Sequence, residues 1–253
     1  MMTQEVLPAE CEMPIQTAPL PLSHELLWGI EWIRLWASNV YRGVGVPRGN
    51  GEPVIVVPGF LGSYGGLYEL RDWLARIGYG VFDPGFERNI DCPDTLLERL
   101  ERRVAGVYAD GGQPVRLIGH SLGGSLARAA ASRMAPGMVE QVITLGSPLH
   151  HVRAHPLVAG LARLLEDTAP SRHGPHAGHD HGETCACDLA DALALPFPAD
   201  VRRTAVFTRQ DGVVDWRTCI EGDAAVDVEV DGTHVGLVVN ARAYEVIARA
   251  LAA

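Results

Sequence analysis

The chain has 253 residues, 47% of them apolar and 6% aromatic, with a formal net charge of −10 at pH 7. That length can bury one substantial core, so one domain with insertions is expected. The acidic balance, without a Lys/Arg cluster, argues against nucleic acid as a partner. No apolar run reaches the length of a membrane span, so no stable membrane insertion is expected. Residues 1–21 carry neither a basic n-region nor an apolar h-region and do not read as a signal peptide. Five cysteines, an odd number, fit a cytosolic protein better than a disulfide framework, which makes the expected location cytoplasmic. A bridge from Cys219 to Cys185 or Cys187 stays open.

In chain order, residues 1–22 form an aperiodic tail that reads as mobile, and the domain proper runs from 23 to 253. Residues 23–41 turn helical, with Ser23 as N-cap, Glu25 in the first turn and a broad apolar face of Leu26, Trp28, Ile30, Ile33, Trp36 and Val40. A glycine-rich loop follows to Glu52. Pro53 to Val57 reads as a buried strand, Gly66 to Ile77 as helix, Tyr79 to Phe82 as strand and Asp94 to Tyr108 as helix. The run Val115 to Ile118 is a strand that leads into a helix from Leu122 to about Met134. Strands at 141–145, 203–208 and 226–230 and an amphipathic helix at 241–251 complete the set. This alternation predicts an α/β fold with a mostly parallel central sheet covered by helices on both faces. Residues 149–200 break the rhythm between two core strands, as a lid-like insert over an active site does.

Chemistry concentrates at Gly119-His120-Ser121-Leu122-Gly123-Gly124. A G-x-S-x-G run between strand and helix makes a turn so tight that its flanks have no room for side chains, and the serine hydroxyl is left exposed. A serine hydroxyl is a weak nucleophile near neutral pH and needs a base oriented by a carboxylate. On such elbows the partners follow in the order Ser, Asp/Glu, His. Only His234 lies beyond the last core strand, and Asp211 is the first carboxylate out of the strand before it, with Asp215 as runner-up. Backbone N–H groups of Leu122 and of Phe60, in Pro58-Gly59-Phe60-Leu61-Gly62-Ser63, stand where an oxyanion needs donors.

These pieces resemble the α/β-hydrolase superfamily and, within it, bacterial lipases and esterases. The matching residues are 58–63, 119–124, Thr144-Leu145-Gly146-Ser147-Pro148, Asp211-Gly212-Val213-Val214 and Gly232-Thr233-His234. The resemblance covers residue 52 to the C-terminus, apart from the insert. It implies hydrolysis of a small-molecule or lipid ester through an acyl-enzyme, with no cofactor. It also departs from that pattern: Pro58 stands where many lipases have histidine, and the N-terminal helix replaces the first strands. Acyl transfer by the same triad and a non-catalytic binding role are the alternatives.

The insert carries His173, His176, His179, His181, Cys185 and Cys187. These are zinc-ligand types, but their spacing matches no closed structural site, so a flexible polar segment is expected and no metal is assigned. Trp28, Trp32 and Trp36 share one side of the first helix. Packing of that helix on the sheet is the preferred reading, with an acyl pocket or a docking surface as alternatives.

Overall fold

The computed structural model describes residues 15–168 and 187–253. Its centre is a six-stranded sheet of β2 (Pro53–Val57), β3 (Gly80–Phe82), β4 (Val115–His120), β5 (Val139–Leu145), β7 (Arg202–Phe207) and β8 (Asp227–Glu229), in the order β3-β2-β4-β5-β7-β8. Every neighbouring pair is parallel. Side chains along β2 alternate between two cores, with Val54 and Val56 on one face and Ile55 and Val57 on the other. Burial on both faces explains why these strands read as continuous β-branched runs.

Helices α1 (Trp28–Ala37), α2 (Tyr68–Arg76) and α7 (Ala241–Ala252) contribute to the first core, while α3 (Pro93–Gly111), α4 (Leu122–Arg133) and α6 (Cys187–Ala194) contribute to the second. Local chemistry sets their ends. Pro93 opens α3, and Gly112 closes it in the left-handed region at φ 63°. The Asn240 side chain caps α7 by accepting from the N–H groups of Arg242 and Ala243. In α7, Ala243, Tyr244, Ile247, Ala248 and Leu251 form the buried stripe.

The helix expected at 23–41 is a 3₁₀ turn, Leu22–Leu27, followed by α1. Its inward side is not the predicted apolar face. Leu26, Ile30, Ile33 and Trp36 are exposed, whereas Glu25, Glu31 and Leu35 are buried. The three tryptophans do line one side, with their rings in tilted contact, and Trp32 Nε1 donates to Glu69. Part of the expected tail is also organised: β1 (Gln16–Thr17) pairs in parallel with β6 (Arg153–Ala154). Ala154 in turn bridges Val214.

The interval after β5 contains α5 (Pro156–Thr168) and, unforeseen in the sequence, α6. The histidine tract 173–181 and Cys185 lie outside the described residues. Cys219 is a free, buried thiol, so the bridge considered for it is not formed. Cys92, just before α3, is disulfide-bonded instead.

Trp73 and Tyr244 join α2 to α7, with ring centroids 4.5 Å apart and both side chains fully buried. Trp73 Nε1 also donates to the Val40 carbonyl at 2.8 Å. Trp73→Ala should therefore lower unfolding free energy by about 3–5 kcal/mol, read from urea denaturation. A loss below about 1 kcal/mol would mean that this contact is not part of the core's support.

Candidate active site

The chain leaves β2 for β3 on one side and returns to β4 on the other, so loops from β2 and β4 meet at a topological switch point. Register sets their heights, with Val57 opposite Gly119 and His120 opposite Leu145. The step from β4 to α4 turns at Ser121, whose φ of 53° and ψ of −129° lie where non-glycine residues are rare. Close packing imposes that turn. A Cβ at Gly119 would collide with Gly123 and Gly124 backbone, and one at Gly124 would strike the Ser147 side chain. The Ser121 N–H is held by the Leu145 carbonyl at 2.9 Å.

The loop after β2 presses on this turn. A Cβ at Gly59 would lie 2.9 Å from Ser121 Cβ. Leu61 is the only other described non-glycine residue with positive φ, at 61°. Asn89, fully buried, donates from Nδ2 to the Pro58 carbonyl, and its own backbone exchanges bonds with Leu61 and Gly62. Neither the Phe60 nor the Leu122 N–H donates to an acceptor among the described residues. Both predicted oxyanion donors are therefore unengaged backbone amides.

Asp211 follows β7 and His234 follows β8, and both are buried. Asp211 Oδ1 accepts from Val213 and Val214 N–H, which fixes the carboxylate. Its Oδ2 accepts from His234 Nδ1 at 2.7 Å. That bond assigns the proton to Nδ1 and leaves Nε2 as the basic nitrogen. Asp215, the runner-up, is engaged elsewhere, with its oxygens on Arg153 and Arg217. Burial lowers the His234 pKa, but the Asp211 charge and hydrogen bond, together with the Glu25 charge, outweigh it and leave the pKa raised.

His120 lies between the elbow and the histidine loop. Its Nε2 donates to the His234 carbonyl at 3.0 Å, and the two rings lie 4.8 Å apart. Burial, and next the His234 charge, push its pKa down to about 3 despite that bond, so His120 is neutral near pH 7. Ser121 and His234 flank the same end of β5. A Cβ at Gly146, which follows Leu145, would lie 3.1 Å from His234 Nδ1. The Ser121 hydroxyl makes no hydrogen bond to the imidazole in this structure. Sequence reasoning missed Glu25 and Glu31, whose carboxylates bond the backbone around His234. Their only sequence signal was acid on an otherwise apolar helical segment.

Among the described residues, no group of three or more His, Cys, Asp or Glu is placed to hold a metal ion. No described helix is long and apolar enough to cross a membrane.

A family model described as PGAP1-like alpha/beta domain matches residues 95–159, from α3 through the elbow to α5. The chain is 32% identical to the protein named Putative GPI inositol-deacylase C of Yarrowia lipolytica, over 40% of this chain and 14% of that protein. It thus spans about one-seventh of that relative's length. The metagenomic carboxyl esterase MGS0156 superposes with a TM-score of 0.58 at 14% identity, covering 99% of this chain and 95% of the esterase. The mature form of Bacillus licheniformis lipase BlEst2 gives 0.54 at 17% identity, covering 81% and 93%. At such identities the likeness speaks for the fold. The chain thus has the α/β-hydrolase fold.

Proposed function

We propose that the chain is a serine carboxylester hydrolase, with Ser121 as nucleophile, His234 as general base and acid, and Asp211 as the group that orients His234. The observation that carries this reading is the strained Ser121 turn sharing one sheet rim with a buried Asp211–His234 pair. In the first half-reaction His234 Nε2 takes the Ser121 proton as Oγ bonds to the ester carbonyl carbon. The imidazolium that forms is stabilised by Asp211, and the developing oxyanion is met by the Phe60 and Leu122 N–H groups. Collapse breaks the bond to the alkoxy oxygen, which leaves with the proton from His234. Water then attacks the acyl-enzyme by the same proton route and releases the acid. The open contact between Ser121 and His234 suits a free enzyme, because catalytic hydrogen bonds commonly tighten only around substrate.

An apolar acyl group suits the surroundings. Leu61 and Val235, each one residue from a proposed site residue, are left 47% and 41% exposed. The Yarrowia lipolytica relative is named as a deacylase, and removal of an acyl group is the chemistry that this site could perform.

Ser121→Ala should abolish hydrolysis of p-nitrophenyl esters while leaving the circular dichroism spectrum intact; undiminished turnover would remove the hypothesis. Asp211→Asn should lower kcat by about 10³–10⁴-fold, against a small effect of Asp215→Asn, and the reverse ranking would move the acid to Asp215. A general base must be neutral, so the raised His234 pKa places the acid limb of kcat/KM above the ordinary histidine value of 6.5. The stability sign is opposite. The charged His234–Asp211 pair stabilises the fold fully below pH 6.5, and that contribution fades as pH rises through the folded pKa. The stability gap between wild type and Asp211→Asn should therefore narrow as pH rises above 6.5. A gap that widens would contradict the assignment.

A further inference from the structure

Two carboxylates of the N-terminal segment are sealed beneath the loop that carries His234. Glu25 in the 3₁₀ turn and Glu31 in α1 are each 8% exposed. Their hydrogen-bond partners are N–H and O–H groups rather than cations. Glu25 Oε1 accepts from the backbone N–H groups of Gly212 at 2.9 Å and His234 at 3.0 Å. Its Oε2 accepts from Val235 N–H at 2.8 Å. One carboxylate thus holds the residue after Asp211 and the backbone of His234 itself. Glu31 braces the same loop, with Oε1 accepting from Thr233 N–H and Oγ1 and Oε2 accepting from Asn240 Nδ2.

The glycines beside the acid and the base are shaped to these glutamates. A Cβ at Gly212 would lie 2.7 Å from the Pro21 carbonyl and 3.0 Å from Glu25 Oε1. One at Gly236 would overlap the Glu31 carboxylate. Burying carboxylates without a cation is unfavourable unless donors fill their oxygens, and here backbone N–H groups do so. Only a carboxylate accepts on both oxygens, as the Glu25 donors require: an amide would turn N–H₂ against one of them, and a hydrocarbon would leave all of them unpaired.

We propose that Glu25 is a positioning residue for the base, locking the His234 loop to the Asp211 loop and standing as a second negative charge behind the imidazole. The proposal rests on the reading of Asp211 and His234 as acid and base. The titratable groups that face His234 are Asp211 from the loop after β7, His120 from the end of β4, Glu25 from the 3₁₀ turn and, through Thr233, Glu31 from α1. The Glu25 charge also acts in the direction that raises the His234 pKa. Withdrawing it therefore makes His234 easier to deprotonate, but leaves it less firmly placed.

Glu25→Gln keeps the side-chain size, removes the charge and turns an amide N–H₂ toward a backbone donor. Hydrolysis of p-nitrophenyl butyrate by this variant should show kcat reduced on the order of 10–100-fold, with KM changed less than about twofold. The acid limb of kcat/KM should move to lower pH, and Glu25→Asp should return it toward wild type. NMR titration of the His234 imidazole reads the same shift without turnover: the pKa should fall in Glu25→Gln. A folded Glu25→Gln with wild-type kcat and an unmoved His234 titration overturns the proposal. Should Glu25→Gln fail to fold, Glu25→Asp carries the test: reduced kcat on a wild-type acid limb supports the proposal, and wild-type kcat overturns it. If the wild type hydrolyses no ester, the ester-hydrolase reading fails, and the NMR titration alone decides the role of Glu25.

Discussion

Crowding at the carboxyl end of β4 is the constraint from which the rest of the site follows. The start of α4 lies so close to the ends of β4 and β2 and to Ser147 that Gly119, Gly123 and Gly124 have no room for a Cβ. The chain can make that turn only by putting Ser121 at φ 53°. Strain of this kind persists where the surroundings over-determine it, and here they do. The Ser121 N–H is held by Leu145, while Ser125 Oγ donates to the Pro148 carbonyl at 2.6 Å. The same closeness brings Gly59 onto Ser121, and beside it the amides of Phe60 and Leu122 have no acceptor among the described residues. A turn selected by sterics thus places a hydroxyl and unengaged donors together, before any substrate is present.

Electrostatics around the histidine complement that geometry. Asp211, Glu25 and Glu31 are three buried acids close to one imidazole, and the ring beside it, His120, is held neutral. A neutral neighbour matters because a second cation would oppose a positive charge on His234. The N-terminal segment takes part in this arrangement through three separate elements. β1 pairs with β6, which bridges the stretch after Asp211, while the 3₁₀ turn and α1 deliver the two glutamates. Where the sequence suggested a helix merely standing in for missing strands, the segment fastens the acid loop to the histidine loop.

The parallel sheet, its flanking helices and the elbow were legible because they rest on local periodicity and on steric rules confined to a few neighbours. Asp211 was preferred to Asp215 from its place at the strand end, and the bond to His234 lies on Asp211. The N-terminal helix was read inside out. Apolar residues at Leu26, Ile30 and Ile33 dictate an inward face by pattern, and glutamates almost never go inside unless paired. Their partners are donors some 200 positions away, at Gly212, Thr233 and His234, so nothing in the local window could reverse that reading. The short β1–β6 ladder escaped notice for the same reason, since it is defined by a distant segment. The glycine pair around His234 was visible as Gly232 and Gly236, but its meaning, room for a carboxylate, appears only in three dimensions.

The most direct measurement is a crystal structure of the protein after reaction with a fluorophosphonate. Phosphorus bonded to Ser121 Oγ, with its oxygen within hydrogen-bonding distance of the Phe60 and Leu122 amides and His234 Nε2 turned toward the adduct, is the result predicted. An unmodified Ser121 beside a labelled residue elsewhere, or an imidazole facing away from the adduct, would contradict it.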